Sequence, residues 1–304
     1  MNRYGAVLSL IIAFVTAGGT AQGAGESLAA QPPPLTLALG SSPAKVDDSP
    51  RLDVRYDPSP PAVVKTMLSL GGVTKTDTLF DLGSGDGRIV ITAAKKYGVR
   101  STGIDLDPQR IEESRENARK AGVQDRVAFI RGDLFNVDIS SATVVTLFLY
   151  DDVNIRLRPK LLRDLKPGTR VVSHEHDMDD WKPDRKVTVE GHNVYYWVIP
   201  ANVGGTWQWG TGKDAYTLTL KQKFQNVTGA LAAGAERIAV HDVQLKGDEL
   251  SFTVKDRLRG LKTPARFSGK VEGNRISGTV TPKGGSPLPW EPLRDQATAA
   301  ALDD

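Results

Sequence analysis

Cysteine is absent from the 304 residues, which excludes a disulfide framework, a thiolate nucleophile and a thiolate metal site. No charge of one sign dominates: 39 basic side chains stand against 36 acidic ones, a formal net charge of +3. Such a balance gives no concentrated basic face, so nucleic acid is not an expected partner. Long apolar runs are missing too, apart from one at the amino terminus. What is present is an ordinary globular mixture, 39% apolar and 25% charged, which excludes a disordered polyelectrolyte. The length suits roughly two domains of about 150 residues each.

The one apolar run is Ala6–Ala17, 12 uncharged residues behind Arg3 and ahead of the small residues Ala17, Gly18, Gly19, Thr20 and Ala21. It is short for a membrane span of about 20 residues and has the layout of a secretory signal. Residues 1–23 are therefore expected to be a signal peptide. The protein is then exported, periplasmic or secreted, with no stable membrane span after cleavage; an uncleaved anchor is the alternative. Residues 24–50 are rich in Ala, Gly, Pro and Ser and include Pro32-Pro33-Pro34, the composition of a flexible linker.

From residue 51 to residue 200, helical and strand patterns alternate. Ser59 is placed to cap a helix with Pro60 in its first turn, and Val63, Val64, Met67 and Leu68 form its apolar face. Strands are expected at Thr78–Leu82, Arg100–Ile104, Val127–Arg131, Thr143–Tyr150 and Arg170–His174, with two more at Val187–Val189 and Val194–Ile199. Helices are expected at Arg88–Tyr97, from Asp107-Pro108 to Ala121, and at Asn154–Leu165. Repeated β-α-β units imply an α/β fold, a Rossmann-like, doubly wound, mostly parallel sheet that binds ligands beyond the carboxyl ends of its strands.

At the first of those ends lies Asp81-Leu82-Gly83-Ser84-Gly85-Asp86-Gly87, a D-x-G-x-G-x-G loop between strand and helix. Glycines there permit positive φ and let a ligand approach the backbone. The dinucleotide fingerprint G-x-G-x-x-G puts its third glycine where Arg88 stands, which counts against a nicotinamide cofactor. Asp105 ends the second strand 22 residues after Gly83, where a carboxylate can accept both ribose hydroxyl hydrogens. Asp133 follows the third strand and is positioned for an adenine amino group. Three acids at three successive strand ends favour a nucleoside site.

This constellation, over residues 51–200, resembles the class I S-adenosylmethionine-dependent methyltransferases. The resemblance implies that the glycine loop lies against the methionine end of the cofactor, that the acid after the second strand binds ribose and that the acid after the third binds adenine. It carries cofactor binding onto Asp81, Gly83, Ser84, Gly85, Gly87, Asp105 and Asp133. Tyr56-Asp57-Pro58-Ser59-Pro60, D-L-G-S-G-D-G-R-I-V from Asp81, and Leu157–His174 are similar to the lineage of the ATP-synthase c-subunit lysine methyltransferase and its bacterial relatives. A methyl acceptor, with a protein lysine implied by that lineage, is the expected partner.

Tyr56 and Ser59 are expected at the cofactor entrance, and Tyr150 and Asp151, at the end of the fourth strand, as catalytic groups on the acceptor side. His174 and His176 are two apart on a strand and share a face. A metallo-β-lactamase-like H-x-H-x-D-H pattern would need aspartate at 178 and histidine at 179, where Met178 and Asp179 stand, so no metal is expected. Residues 174–180 are expected to shape the acceptor pocket or to lie at its rim with Trp181. The alternatives to a methyltransferase are a nicotinamide-dependent oxidoreductase and a non-catalytic exported nucleoside-binding or scaffold protein.

Residues 203–304 have a different texture, short alternating runs with glycine turns. Leu245–Val254 and Val271–Val280 are an internal repeat, apolar-charged-Gly-Asp/Asn-charged-apolar-Ser-x-Thr-Val, which predicts two tight hairpins. A small antiparallel all-β, barrel-like accessory domain is expected, with Trp207, Trp209 and Trp290 in its core or at its ends.

Overall fold

The computed structural model describes residues 52–212 and 215–302. The expected signal peptide and linker lie outside the described residues. Among the described residues no helix is long and apolar enough to cross a membrane.

Seven strands form the first sheet: β1 (Thr78–Leu82), β2 (Arg100–Asp105), β3 (Val127–Arg131), β4 (Val144–Leu147), β5 (Arg170–His174), β6 (Arg185–Val189) and β7 (His192–Val198). Their order is β3-β2-β1-β4-β5-β7-β6. The first five run parallel. β7 runs antiparallel to both of its neighbours. A two-residue turn with positive φ at Glu190 and Gly191 joins β6 to β7, the turn geometry that suits a twisted hairpin. The sheet reverses direction of winding between β1 and β4, the switch point at which such folds bind ligands.

The helices are α1 (Pro61–Leu70), α2 (Arg88–Tyr97), α3 (Pro108–Ala121) and α4 (Asp151–Asp164). α3 has the sharpest local signals: Asp107 accepts a hydrogen bond from the Gln109 amide, Pro108 occupies the first turn, and Gly122 ends the helix with φ 68°. α2 buries Ile89, Val90, Ala93 and Ala94, a stripe at helical spacing.

β6 and β7 each begin two residues earlier than expected, at Arg185 and His192, and three further local expectations differ from the structure. Ser59 does not cap α1; its hydroxyl turns inward to the ring of His174, and Pro60 flanks the helix with no side-chain cap. β4 stops at Leu147 instead of reaching Tyr150, where its neighbour β1 ends: Leu147 is opposite Leu82, the last residue of β1, and opposite Ser173, the last but one of β5. α4 begins at Asp151, three residues early, with Asp151 and Asp152 in the first turn, where carboxylates suit the positive end of the helix dipole.

The second sheet contains β8 (Gly205–Trp209), β9 (Tyr216–Lys223), β10 (Asn226–Ala233), β11 (Glu236–Ala239), β12 (His241–Lys246), β13 (Glu249–Val254), β14 (Ala265–Glu272), β15 (Arg275–Pro282), β16 (Leu288–Trp290) and β17 (Leu293–Arg294). It is antiparallel and curls into a nearly closed barrel, in which the Val240 amide reaches the Gly229 carbonyl at 3.1 Å. The internal repeat forms the two expected hairpins, turning at Gly247-Asp248 and Gly273-Asn274. Trp207, Phe252, Phe267 and Trp290 are buried inside, so the barrel is filled by its own side chains.

Phe224, in the β9–β10 turn, leaves the barrel core and packs on Trp181 of the first sheet's side, with the Arg158 guanidinium 5.0 Å from its ring centre. Trp181 is fully buried at this junction, so it does not lie at the rim of a pocket.

Candidate active site

A cavity of about 470 Å³ opens over the carboxyl ends of β1, β2, β3 and β4. Among the described residues none beyond His192 lines it, so the described part of the barrel contributes no side chain to its wall. Eight of the nine expected cofactor-side residues do: Tyr56, Ser59, Asp81, Gly83, Ser84, Gly85, Asp105 and Asp133.

The glycine loop is held against β2. The amides of Gly83 and Ser84 both donate to the Ile104 carbonyl, at 2.8 and 2.9 Å, and the Gly85 amide donates to Asp105 Oδ2 at 2.8 Å. Gly85 has φ 52°, and a Cβ on it would lie 2.6 Å from the Tyr56 ring. Both the conformation and the space therefore require glycine. Gly87 is the exception to the expected set. It does not reach the cavity; a Cβ there would lie 2.8 Å from Phe129 and 2.9 Å from Ser114. Its role is close packing of the α2 start on α3 and β3.

Asp81 is only 2% exposed and accepts a 2.6 Å hydrogen bond from the Thr146 hydroxyl. Burial pushes its carboxyl up to about 7, with repulsion from Asp105 and Asp86 adding to the rise and the Thr146 bond opposing it. Asp105 accepts from Gly85 through Oδ2 and from the Asp107 amide through Oδ1, and burial raises its pKa against those bonds. Asp133 accepts from the Phe135 amide and from Asn136 Nδ2, which fixes the turn after β3.

Arg88 was legible in the sequence only as a missing glycine. Its guanidinium grips Asp86, at 2.8 Å, and donates to the Ser59 carbonyl at 3.0 Å, tying the loop to the segment before α1. Arg110 lies with its guanidinium carbon 4.6 Å from the centre of the Tyr56 ring. Neither contact to the segment before α1 has a local sequence signal, since each joins residues far apart in the chain.

On the opposite wall stand Phe148, Tyr150, Glu175, His176 and His192. Tyr150 is 43% exposed and meets the His176 ring edge-on, 5.7 Å between centres. Asp151 does not line the cavity. Its Oδ1 lies 3.2 Å from His176 Nδ1 and accepts from the Asp177 amide, so it positions His176. Thus Tyr150 and Asp151 begin α4 and do not end β4, as the sequence pattern had implied. His174 is buried against Phe148, 3.9 Å between ring centres, and burial pushes its pKa down to about 4.

Residues 81–185 match the family model of the ANTKMT methyltransferase domain. A protein-lysine N-methyltransferase of Saccharolobus islandicus is 48% identical over 151 residues, which are 48% of this chain and 94% of that protein. The chain belongs to this methyltransferase family. The Homo sapiens lysine N-methyltransferase of the ATP-synthase c-subunit is 40% identical over 114 residues, 38% of this chain and 48% of the relative, so the match spans about half of that protein. A solved structure of an RNA methyltransferase from Salinibacter ruber in complex with S-adenosyl-L-homocysteine is 55% identical, covering 48% of this chain and 96% of that one, with a TM-score of 0.48.

As a member of this family the protein is an S-adenosylmethionine-dependent methyltransferase, and the nicotinamide and non-catalytic alternatives gain no support. The cavity of this methyltransferase fits that cofactor by its chemistry. Gly83 and Gly85 line the cavity, where the absence of a side chain leaves room for both the loop and the Leu149 and Tyr56 side chains packed beside it. Each Asp105 oxygen already accepts one amide hydrogen, and a carboxylate with about four acceptor positions still has one free on each oxygen for a diol.

Proposed function

We propose that this methyltransferase methylates the ε-amine of a lysine in a protein substrate. The observation that carries the reading is the pairing of two walls in one cavity: the glycine loop with Asp81, Asp105 and Asp133 on one side, and Phe148, Tyr150 and His176 on the other. The lysine methyltransferase of Saccharolobus islandicus, nearly all of whose length is matched, supports the choice of acceptor.

In this reading Asp105 accepts the ribose hydroxyls, Asp133 faces the adenine, Gly83, Ser84 and Gly85 bed the methionine portion, and Tyr56 and Ser59 flank the entrance. The bound cofactor supplies a methyl group already activated on a sulfonium. The protein then has mainly to align an acceptor lone pair with it, a task that contributes roughly 7–11 kcal/mol in favourable cases. Phe148, Tyr150 and His176 strip water from the incoming ammonium, which lowers its pKa and favours the neutral, nucleophilic amine. Tyr150 touches the acceptor; Asp151 acts one step back by holding His176.

The test is incubation of the purified protein with radiolabelled cofactor and cell-envelope proteins, followed by hydrolysis. Methyllysine is the expected labelled product. Label confined to RNA or to a small metabolite overturns the lysine assignment.

The layout of residues 1–23 also supports export. Fractionation of cells producing the full chain should then place the processed protein outside the cytoplasm, and recovery of only the full-length chain in the cytoplasm contradicts it.

A further inference from the structure

We propose that His174, Glu175 and His192 form a binding site for a divalent transition-metal ion of the zinc class on the acceptor wall. One ligand atom of each residue lies within 4.8 Å of the others. His174 Nε2 is 3.3 Å from His192 Nδ1, and His192 Nδ1 is 3.6 Å from Glu175 Oε2. Two nitrogens each about 2.0–2.1 Å from a tetrahedral ion lie about 3.3–3.4 Å apart, so this is the spacing of ligands sharing one ion.

The surroundings orient these groups as a ligand set. The Ser59 hydroxyl lies 2.9 Å from His174 Nδ1 and can take that nitrogen's hydrogen, which leaves Nε2 with a free lone pair aimed at His192. The Asn193 amide donates to Glu175 Oε2 at 2.9 Å and fixes the carboxylate. Glu175 is in the left-handed region at φ 63°, a conformation held by its contacts and unusual outside glycine. That backbone turn also breaks strand alternation after His174. His176 swings away to Asp151, and the second imidazole comes from His192, at the start of β7 across the hairpin.

A hydrogen bond between the two imidazoles explains their 3.3 Å separation but leaves the Glu175 charge balanced by no fixed cation, only by the Asn193 amide and the His192 ring. Among the described residues, Glu175 has no lysine or arginine partner; its only ion-pair partner is His192. Asp57 contributes further negative charge near His174. A cation satisfies all three groups at once. Glu175 and His192 line the cavity, so the remaining coordination positions open toward it. An oxygen donor of the acceptor, a carboxylate or carbonyl beside the target amine, completes the coordination and anchors the substrate. The anchoring role rests on the acceptor assignment above; the ion site itself does not.

Chelator-stripped, untagged protein is titrated with Zn²⁺ by calorimetry and with Co²⁺ by visible absorption. One equivalent should bind with a dissociation constant of about 1 µM or tighter, and Co²⁺ should give ligand-field bands. His192→Ala and Glu175→Gln, both at partly exposed positions, should weaken binding by about tenfold or more, and Ser59→Ala by about tenfold through loss of the orienting hydrogen bond. Thermal melts matching the parent protein establish that these variants fold. Absence of stoichiometric binding, or equal affinity in His192→Ala, overturns the site. Loss on His241→Ala with retention on His192→Ala also overturns it. None of these readouts depends on methyl transfer, so failure here leaves the lysine assignment standing, and the reverse.

Discussion

The Gly85 amide donates to Asp105 Oδ2 at 2.8 Å, which makes the glycine loop and the acid at the end of β2 one structural unit. In the proposed placement of the cofactor, the carboxylate that takes the ribose hydroxyls is the one that also holds the backbone of the glycine loop.

Replacing Asp105 with alanine therefore removes a loop anchor and, in that placement, a ligand contact with it. Affinity for S-adenosylhomocysteine, measured by calorimetry, should fall by about 1–3 kcal/mol, the range for charge-assisted hydrogen bonds. Asp105→Asn keeps an acceptor for the Gly85 amide and should lose less. Unchanged affinity in the alanine variant removes Asp105 from the site.

Gly85 and Gly122 test conformation against space. Both have positive φ, but a Cβ at Gly122 meets nothing within 4 Å, whereas one at Gly85 strikes the Tyr56 ring. Gly122→Ala should cost about 1–2 kcal/mol of stability, the left-handed penalty alone, and leave cofactor affinity intact. Gly85→Ala should cost more and also weaken cofactor binding. Denaturant unfolding with a parallel binding titration separates the two, and identical behaviour refutes the distinction.

The buried Asp81 predicts a pH dependence. Its folded pKa of about 7 lies above the ordinary carboxylate value of 3.8. The folded state therefore binds the proton more tightly than the unfolded one. Its stabilising contribution is complete below about pH 4 and is lost as pH rises through 7, an effect on the order of 4 kcal/mol. Asp81→Asn retains an acceptor for Thr146 and should flatten stability over that window. A variant curve parallel to the parent's would show that Asp81 is not its source.

Phe224 tests what the barrel does for the sheet beside it. Its ring joins Trp181 and Arg158 across the junction, and no described barrel residue lines the cavity. Phe224→Ala should lower unfolding free energy by about 3–5 kcal/mol, the usual cost of emptying a buried phenylalanine site. Cofactor affinity should stay within about twofold, since the change is remote from the cofactor wall. A variant of parental stability shows that the junction contributes nothing.

Much of the fold was legible because its boundaries carry local chemistry. β1, α2, β3 and β5 fall where their patterns placed them, and α3 is bracketed by Asp107, Pro108 and Gly122. The two repeat hairpins turn on glycines that open two-residue turns. The loop from Asp81 to Gly87 and the acids Asp105 and Asp133 were readable for the same reason: strand ends put them at one edge of the sheet. β4 has no such punctuation, and α4 has no side-chain cap, only Asp151 and Asp152 in its first turn; there the boundaries moved.

Tertiary structure alone decided the rest. Ser59 has the chemistry of a helix cap, but His174, 115 residues away, takes its hydroxyl. Gly87 looks like part of a ligand loop, but Phe129 and Ser114 occupy the space beside it. His174 and His176 share a spacing, yet the left-handed turn at Glu175 separates them and the β6–β7 hairpin brings His192 in their stead. Periodicity, caps and turns act over a few residues and are written in the chain. Which distant side chains meet depends on how the elements pack, and no local pattern encodes that.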